Sequence, residues 1–286
     1  MQRSMREVSS HFGEPRATRV AKASQRMKLL IAIPALNEER SIENIIQRCL
    51  AARDTIIGNS PITEVAVTVI SDGSTDRTIE LARRYTDEVK LIVFEKNRGY
   101  GAAIQHAWQE SDADLLAFLD ADGTCDPQFF ANLARYLWSE QADVVLGCRL
   151  NADTEMPPLR QAGNLLFAGF LTLLSGRRIR DTASGMRIVR REAFNRLRPL
   201  PSGMHFTPAM SARALLDREA HVKLVEIDMP YHERVGDSKL KVGRDGLRFL
   251  WVITKTALVY RPIRLSALFT GCALTFVISE YLLRGL

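Results

Sequence analysis

Residues 115–122 read LLAFLDAD, an unbroken apolar run that ends in two carboxylates one residue apart. Five consecutive apolar residues predict a β-strand that is buried on both faces, as in a parallel sheet. Such sheets bind ligands outside the carboxyl ends of their strands, which is where Asp120 and Asp122 fall. Two carboxylates in that position can hold a hard divalent cation whose other ligands are substrate phosphates. The segment therefore predicts a central strand with a diphosphate-binding site at its tip.

Short β-rich runs alternate with helical stretches on both sides of this segment. Asp126 and Pro127 provide a cap and a first residue for the helix that follows it. This alternation is typical of βαβ units, so it predicts an α/β, Rossmann-like fold with a mostly parallel sheet. Further strands are predicted over 29–33, 65–71, 89–94, 144–147 and 222–227, and helices near 41–52, 75–85, 102–109, 127–138, 161–175 and from 207.

Length and composition are those of one large domain with an appendage. The chain has 286 residues, of which 46% are hydrophobic, enough for a substantial core. A net charge of +6 suits an anionic partner such as nucleic acid, a phosphorylated small molecule or a membrane. No helix-turn-helix, zinc or aromatic-basic sheet motif is present, so no nucleic-acid partner is predicted. The four dispersed cysteines indicate neither zinc nor disulfides and fit the cytosol.

The two ends of the chain differ in character. Residues 1–26 are basic and contain no signal-length apolar run, so we expect a mobile basic tail. Residues 234–264 interleave eight Lys or Arg with apolar residues, which predicts an amphipathic helix on an anionic membrane face. Residues 265–283 form a 19-residue run in which Glu280 is the only charge. A helix of that length spans roughly 28 Å, which suits a membrane span, although a buried core helix is the alternative.

Seven short segments occur in a fixed order along the chain. They are PALNEE at 34–39, SDGSTD at 71–76, KNRGYGAA at 96–103, DAD at 120–122, GCR at 147–149, DTASGMR at 181–187 and RVGDSKL at 234–240. Together they resemble the inverting family 2 glycosyltransferases, and within them the polyprenyl-phosphate glycosyltransferases of the dolichol-phosphate mannosyltransferase type. The resemblance covers about residues 28–262 and implies a glycosyltransferase-A fold.

The resemblance also implies roles for individual residues. Asp120 and Asp122 would hold Mg²⁺ or Mn²⁺ on the diphosphate of a GDP- or UDP-linked sugar, and Asp122 and Asp181 would be catalytic. The nucleotide would contact Pro34, Leu36, Asn37, Glu38, Asp72, Lys96, Asp120 and Ala121. The chain departs from many relatives at Leu36, Ser71 and Thr124, where they carry an aromatic residue, an Asp and a Gln.

The acceptor determines what further chemistry is needed. A polyisoprenyl phosphate is largely dianionic at neutral pH and attacks without a general base. A hydroxyl of a glycan end or a diacylglycerol needs a base, for which Asp181 is the candidate. A non-catalytic sugar-nucleotide module is disfavoured because all the acids are present. An acceptor phosphate would be bound by cations, for which the candidates are Arg149, Arg160, Arg234 and Lys239.

These expectations divide the chain into four parts. After the tail, residues 27–233 would form the catalytic domain, 234–262 the acceptor loop and interfacial helix, and 263–286 a transmembrane helix. Arg261 and Arg264 would hold the start of that helix in the cytosol, so the catalytic domain is expected at the cytoplasmic face of the inner membrane. The sequence indicates no particular oligomeric state, sugar or nucleotide base.

Overall fold

A computed structural model describes residues 26–152, 154–236, 239–240 and 242–284. The predicted basic tail lies outside the described residues apart from Arg26. Within them the chain folds around one mixed sheet whose strand order is β3-β2-β1-β4-β6-β5-β7. The strands are β1 Lys28–Ala35, β2 Glu64–Asp72, β3 Lys90–Phe94, β4 Leu115–Leu119, β5 Val144–Cys148, β6 Met186–Arg190 and β7 Leu224–Asp228.

The sheet is parallel except at β6, which runs antiparallel to both of its neighbours, β4 and β5. The α/β class and the predicted strands are confirmed, but β6 and the helix after it were not predicted. The strand sequence MRIVR carries Arg187 and Arg190, and its buried Arg187 hides the apolar signal of a central strand. The sheet therefore contains a strand, β6, that no hydrophobic run in the sequence predicts.

Helices cover both faces of the sheet and extend beyond it. Pro158 opens α5 three residues earlier than predicted, because proline fits the first helical position. A 3-10 turn at Pro127–Phe129 precedes α4, and Asp126 caps it by accepting a hydrogen bond from the Gln128 backbone N–H. The helices are α1 Ile42–Gly58, α2 Thr78–Arg83, α3 Tyr100–Gln109, α4 Phe130–Ser139, α5 Pro158–Ser175, α6 Arg191–Leu197, α7 Phe206–Leu216, α8 Val242–Tyr260 and α9 Pro262–Arg284.

The central strands have an apolar core on each side. Along β1, Ile31 and Ile33 join the core beneath α1 and α4, whereas Leu30 and Ala32 join the core beneath α3 and α7. The second core is rich in aromatic rings, and the indole N–H of Trp108 donates to the Ala117 carbonyl at 3.0 Å. Because the central strands are covered on both faces, a ligand can reach them only at their ends, and parallel sheets form their sites at the carboxyl ends.

The helices α5, α7 and α8 pack on one another around a third apolar cluster. Their outer sides carry exposed apolar residues: α5 exposes four leucines and α8 exposes five large apolar residues. We call this set the apolar surface, and it consists of Leu159, Leu165, Leu166, Leu173, Leu247, Leu250, Trp251, Leu258 and Val259. The part on α8 was predicted, and the part on α5 was not.

The helix α9 is long and apolar enough to cross a membrane. Only 6% of its most apolar window is buried in the protein, so it is not the core helix that was the alternative prediction. Leu265 packs into the third cluster near its start, and the helix is then largely exposed through Leu283. A helix with this much exposed apolar surface needs an apolar environment.

Candidate active site

A cleft of about 350 Å³ opens at the carboxyl ends of β1, β2 and β4. The acids of its lining come from the strand tips and the loop after β1, and the cations come from the residue after β5, from α5 and from the segment 234–248. The acids are Glu38, Asp72, Asp120 and Asp122, and the cations are Arg149, Arg160, Arg234, Lys239, Arg244 and Arg248. A phosphate-bearing ligand and a divalent cation are both complementary to this division of charge.

Most of the residues predicted for the site line this cleft. Pro34, Leu36 and Ala121 do so together with the acids and cations named above, whereas Asn37, Lys96 and Asp181 do not. Lys96 is exposed to solvent beside the cleft. Between residue 236 and the start of α8, the structure describes only Lys239 and Leu240. Lys239 Nζ donates to the Asn37 carbonyl at 3.0 Å.

Asp120 is held in place from two directions. The Tyr100 hydroxyl donates to its Oδ1 at 2.6 Å, and its Oδ2 lies against the backbone of Gly185, where any Cβ would collide with the carboxylate. Burial and the charge of Asp122 raise the pKa of Asp120 above its ordinary value. Burial and the neighbouring Asp120 also raise the pKa of Tyr100, so its hydroxyl stays a donor.

Asp122 divides its two oxygens between different partners. Its Oδ1 accepts the Thr124 hydroxyl at 2.7 Å and the Thr124 backbone N–H at 3.1 Å. Its Oδ2 lies 3.0 Å from Arg234 Nη1, and Arg234 Nη2 donates to Glu38 Oε1 at 2.9 Å. Burial raises the pKa of Glu38, and the charges of Arg234 and Lys239 oppose that rise.

Two of the predicted nucleotide contacts shape loops of the cleft through backbone hydrogen bonds. The Asp72 carboxylate accepts the backbone N–H groups of Arg98 at 2.6 Å and Gly99 at 2.9 Å, just before α3 begins. Asn37 has a positive φ of 52°, and its side-chain oxygen accepts the Thr75 N–H at 2.7 Å. These contacts join the loops after β1, β2 and β3 into one rim of the cleft.

Arg149 and Asp181 form a bidentate ion pair behind the cleft. Arg149 Nε and Nη2 donate to the two oxygens of Asp181 at 2.7 and 2.9 Å. Asp181 is fully buried and also accepts from Asn164 Nδ2 at 2.6 Å and the Ala183 N–H at 3.1 Å. Burial alone would raise the pKa of Asp181, but Arg149 and these hydrogen bonds lower it to about 2. Such a carboxylate is a weak base, and its geometry is that of a positioning residue for Arg149.

The structure adds residues that the motifs did not indicate. Tyr100 could have been found, because it stands inside the KNRGYGAA segment. Arg244 and Arg248 also line the cleft, and Asp245, which is fully buried, lies 3.4 and 3.3 Å from them. They are one helical turn apart on α8, so an i, i+4 arrangement of cations near the start of the predicted amphipathic helix was the available signal.

A small apolar pocket of about 130 Å³ continues the cleft between α5 and α8. Arg149 and Arg160 stand where the two meet, since both line the cleft and the pocket. The rest of the pocket is mainly apolar: Met156, Leu159, Gly163, Phe167, Leu240, Gly246 and Phe249. Leu159 is also part of the apolar surface, so the pocket connects the charged cleft with that surface.

The acidic side of the cleft fits a divalent cation. Asp120 and Asp122 are adjacent, and the raised pKa of Asp120 reflects the burial and mutual repulsion of two carboxylates. In the part of the chain that the structure describes, no group of three or more His, Cys, Asp or Glu side chains could hold a metal. Mg²⁺ bound through one or two carboxylates plus substrate phosphates needs no such group.

Comparison with known proteins identifies the family. The model of glycosyl transferase family 2 matches residues 30–198, which is more than half of the chain. This chain belongs to glycosyl transferase family 2. The match begins in β1 and ends just after α6, so it contains the strand-end acids, Arg149 and Asp181. The family 2 resemblance and the glycosyltransferase activity class predicted from the motifs are thereby confirmed.

Two proteins of Haloferax volcanii are among the relatives of this family 2 glycosyltransferase. It is 31% identical to the low-salt glycan biosynthesis hexosyltransferase Agl6 of Haloferax volcanii, over 77% of this chain and 51% of that protein. It is 30% identical to the dolichyl-phosphate hexose transferase of the same organism, over 82% of this chain and 95% of that protein. The chain thus spans about half the length of the first relative and nearly all of the second.

Solved structures support the fold. Glucosyl-3-phosphoglycerate synthase from Mycobacterium tuberculosis, in complex with Mn²⁺, UDP and phosphoglyceric acid, superimposes with a TM-score of 0.61. The superposition covers 82% of this chain and 78% of that one, at 20% sequence identity. The predicted glycosyltransferase-A fold is therefore confirmed.

Proposed function

We propose that this family 2 glycosyltransferase transfers a hexose, with inversion, from a nucleotide diphosphate sugar to a polyisoprenyl phosphate at the cytosolic face of a membrane. One observation carries the proposal: Arg149 and Arg160 stand between the charged cleft and an apolar pocket that leads to the apolar surface. A ligand with a phosphate head and an apolar tail matches that sequence of environments. A soluble sugar hydroxyl does not require it.

The donor would occupy the acidic side of the cleft. Pro34, Leu36 and Glu38 line the part formed by the loop after β1, where a base and ribose would lie. The donor is a GDP- or UDP-linked sugar; UDP is bound in the synthase of similar fold. The rim formed by Asp72 and Asn37 supports this donor pocket through backbone contacts, and Lys96 remains a predicted contact from the exposed loop.

Asp120 and Asp122 would hold Mg²⁺ or Mn²⁺ on the diphosphate. When bound, such an ion supplies Lewis-acid stabilisation of the charge that develops on the leaving nucleoside diphosphate. The chain itself prepares the site, because Tyr100 and Thr124 each donate a hydrogen bond that orients one of the two carboxylates. The synthase of similar fold is described with Mn²⁺ or Mg²⁺, which supports the same class of ion here.

The acceptor phosphate would bind to Arg149 and Arg160, with Arg234 and Lys239 closing on it from the loop before α8. Asp181 engages Nε and Nη2 of Arg149, so the guanidinium is held with its remaining Nη1 free of protein hydrogen bonds in the described structure. Arginine orients phosphate well because its donors form a planar fork. Holding this fork rigid contributes to catalysis by positioning the nucleophile.

No general base is needed for this reaction. A phosphate oxygen forms the new bond to the anomeric carbon while the bond from that carbon to the diphosphate breaks, and the electron pair leaves with the nucleoside diphosphate. The acceptor is already largely dianionic at neutral pH, because the second pKa of a phosphomonoester is about 6. The low pKa of Asp181, about 2, fits an ion-paired positioning residue in this scheme.

Membrane association would bring the enzyme to its lipid substrate. The exposed helix α9 would span the bilayer, and the apolar surface on α5 and α8 would lie in its interface. Arg261 and Arg264 stand at the start of α9, where cations favour the cytosolic side. The mouth of the apolar pocket would then meet the hydrocarbon from which a polyisoprenyl chain enters.

The test uses the full chain in detergent with Mn²⁺, polyprenyl phosphate and radiolabelled GDP-mannose, UDP-glucose or UDP-N-acetylglucosamine. We expect one donor to give a label that is extractable into organic solvent and released by mild acid. Asp181→Asn should lower this transfer through the position of Arg149 while leaving the shape of the pH profile unchanged. Label that appears only in hydroxyl-linked glycan or diacylglycerol would contradict the proposal, as would a pH profile whose shape differs between Asp181→Asn and the wild type.

A further inference from the structure

We propose that a second, strongly basic hollow, at the junction of α8 and α9, binds the phosphate of an anionic lipid headgroup. This junction hollow has a volume of about 510 Å³. It is lined by Val222 and Lys223, which come just before β7, so it lies at the edge of the sheet opposite the active-site cleft. It shares no lining residue with that cleft.

Positive charge dominates the lining of the junction hollow. Among the described residues of the lining, the only carboxylate is that of Asp217, which is paired with Arg213 at 3.1 Å and accepts the Ala220 N–H at 3.2 Å. Lys223 is balanced by Glu140, whose carboxylate is 3.4 Å away. The five cations of the lining are Arg177, Arg218, Lys223, Arg261 and Arg264.

Among the described residues, four of these cations have no carboxylate partner: Arg177 and Arg264 donate to backbone carbonyls instead, whereas Arg218 and Arg261 have no side-chain hydrogen bond. Among the residues that the structure describes, no carboxylate comes within 4.0 Å of the side chain of Arg218 or Arg261. The Nε of Arg261 is buried without any hydrogen-bond acceptor. Burial lowers the pKa of Arg261, and the charges of Arg218 and Arg264 lower it further. A buried donor without a partner is costly, and an anion in the hollow would accept from it while relieving the repulsion.

The backbone around the hollow also accommodates its cations. Gly176 ends α5 with a φ of 73°, and a Cβ at this position would lie 2.9 Å from Arg264 Nη1. Arg264 Nη1 donates to the Leu174 carbonyl at 3.2 Å, which holds the side chain across the end of α5. Glycine therefore satisfies two demands here, since it permits the left-handed turn and leaves room for the guanidinium.

The position of the hollow identifies the anion as a lipid headgroup. Arg261 is the single residue between α8 and α9, and α9 is the exposed apolar helix. The apolar surface reaches the same end of the molecule through Leu173, Leu258 and Val259. Lipid phosphates lie just outside the hydrocarbon, at the level where apolar helices end and cations gather. A binding site for a soluble phosphate would not need to lie beside this apolar boundary.

The experiment measures lipid binding by the full chain in detergent, without sugar donor or acceptor. Native mass spectrometry follows one-to-one adducts with dioctanoyl phosphatidylglycerol, dioctanoyl phosphatidylcholine and inorganic phosphate. We expect saturable, selective binding of phosphatidylglycerol. Arg218→Ala and Arg261→Ala should each weaken it about fivefold, the effect of removing one cation near an anionic headgroup. Arg83→Ala, an exposed cation on α2, makes the same change of charge and should leave binding unchanged.

Equal weakening in Arg83→Ala would overturn the proposal, because it would show unspecific attraction. Equal binding of phosphatidylcholine would overturn it too, and so would inorganic phosphate that binds as well as phosphatidylglycerol. Arg218 is exposed, so its replacement leaves the core intact and keeps the test valid if Arg261→Ala does not fold. Since no sugar transfer is measured, failure here would be distinguishable from failure of the proposed enzymatic function.

Discussion

Arg234 Nη1 lies 3.0 Å from Asp122 Oδ2, so a guanidinium neutralises the carboxylate predicted to hold the metal. The same side chain reaches Glu38 Oε1 through Nη2 at 2.9 Å. Arg234 thus links the tip of β4 to the loop after β1, although nearly two hundred residues separate it from Glu38. A divalent cation that binds Asp122 through Oδ2 has to compete with this ion pair.

Removal of the guanidinium is therefore expected to strengthen metal binding while it weakens transfer. Arg234→Ala should bind Mn²⁺ about tenfold more tightly in the absence of donor, since a hydrogen bond to a charged group contributes about 1.5 kcal/mol or more. Its transfer rate should fall because an acceptor cation is lost. Isothermal titration with Mn²⁺ measures the first effect. The Mn²⁺ affinity of Arg234→Lys should lie between those of the wild type and Arg234→Ala. An unchanged Mn²⁺ affinity in Arg234→Ala would contradict competition between Arg234 and the metal ion for Asp122.

Tyr100 is expected to act through Asp120. Its hydroxyl donates to Asp120 Oδ1 at 2.6 Å, and Tyr100→Phe removes that donor while keeping the ring. Loss of an outer-shell partner of a metal ligand typically costs about 10- to 100-fold in metal affinity or activity. We expect a Mn²⁺ affinity lowered within that range, measured by titration. Tyr136→Phe, on the exposed side of α4, is the matched control and should behave as wild type.

The ion pair between Asp181 and Arg149 should make the free energy of unfolding depend on pH. The pKa of Asp181 is about 2 in the folded protein and about 3.9 in an unfolded chain. The contribution of this group is therefore complete above about pH 5 and is lost as the pH falls through 2. The difference in unfolding free energy between wild type and Asp181→Asn should narrow by about 2 kcal/mol over that range.

Denaturant unfolding at pH 5, 4, 3 and 2 measures this narrowing. Asp87→Asn removes an exposed carboxylate and should show no comparable change. A constant difference between wild type and Asp181→Asn would mean that the carboxylate is not ion-paired as described.

Two glycines on α5 allow a test of whether the acceptor binds in the apolar pocket. A Cβ added at Gly163 or at Gly169 meets no atom within 4 Å, so both tolerate a larger side chain, but only Gly163 lines the pocket. Gly163→Leu is expected to raise the KM for polyprenyl phosphate about tenfold or more, because one blocked apolar contact costs about 1–3 kcal/mol. The KM for the sugar nucleotide should stay within about twofold of the wild-type value. Steady-state kinetics measure both constants. Equal effects in Gly169→Leu would argue against acceptor binding in the pocket.

Much of the fold was available from local pattern. The apolar run 115–119 and its neighbours predicted six strands close to their observed bounds, and the central ones were the plainest because a strand buried on both faces must be apolar throughout. β6 was missed for the converse reason. Arg187 is buried in it, and its guanidinium donates to the Thr182 carbonyl at 2.8 Å and the Ser211 hydroxyl at 3.0 Å, contacts that no periodicity reveals.

The acids at the strand tips could also be located from the sequence, since parallel strands present their carboxyl ends at one edge. The chemical roles of the residues within those motifs could not be predicted from the sequence. Asp181 was a candidate base, whereas the structure surrounds its carboxylate with Arg149, Asn164 and a backbone N–H. Whether a carboxylate is a base or an anchor depends on which cations fold against it, and these come from distant segments.

The sequence by itself therefore determined the α/β class, the edge at which the site forms, the family and the apolar C-terminal helix. Only the tertiary structure decided that α5 and α8 together expose one apolar surface and that Arg149 and Arg160 line an apolar pocket. It also decided that Arg234 forms ion pairs with both Glu38 and Asp122. The physical reason is that hydrophobic periodicity is a local property of the chain, whereas charge pairing and pocket shape arise between segments that meet only when the chain folds.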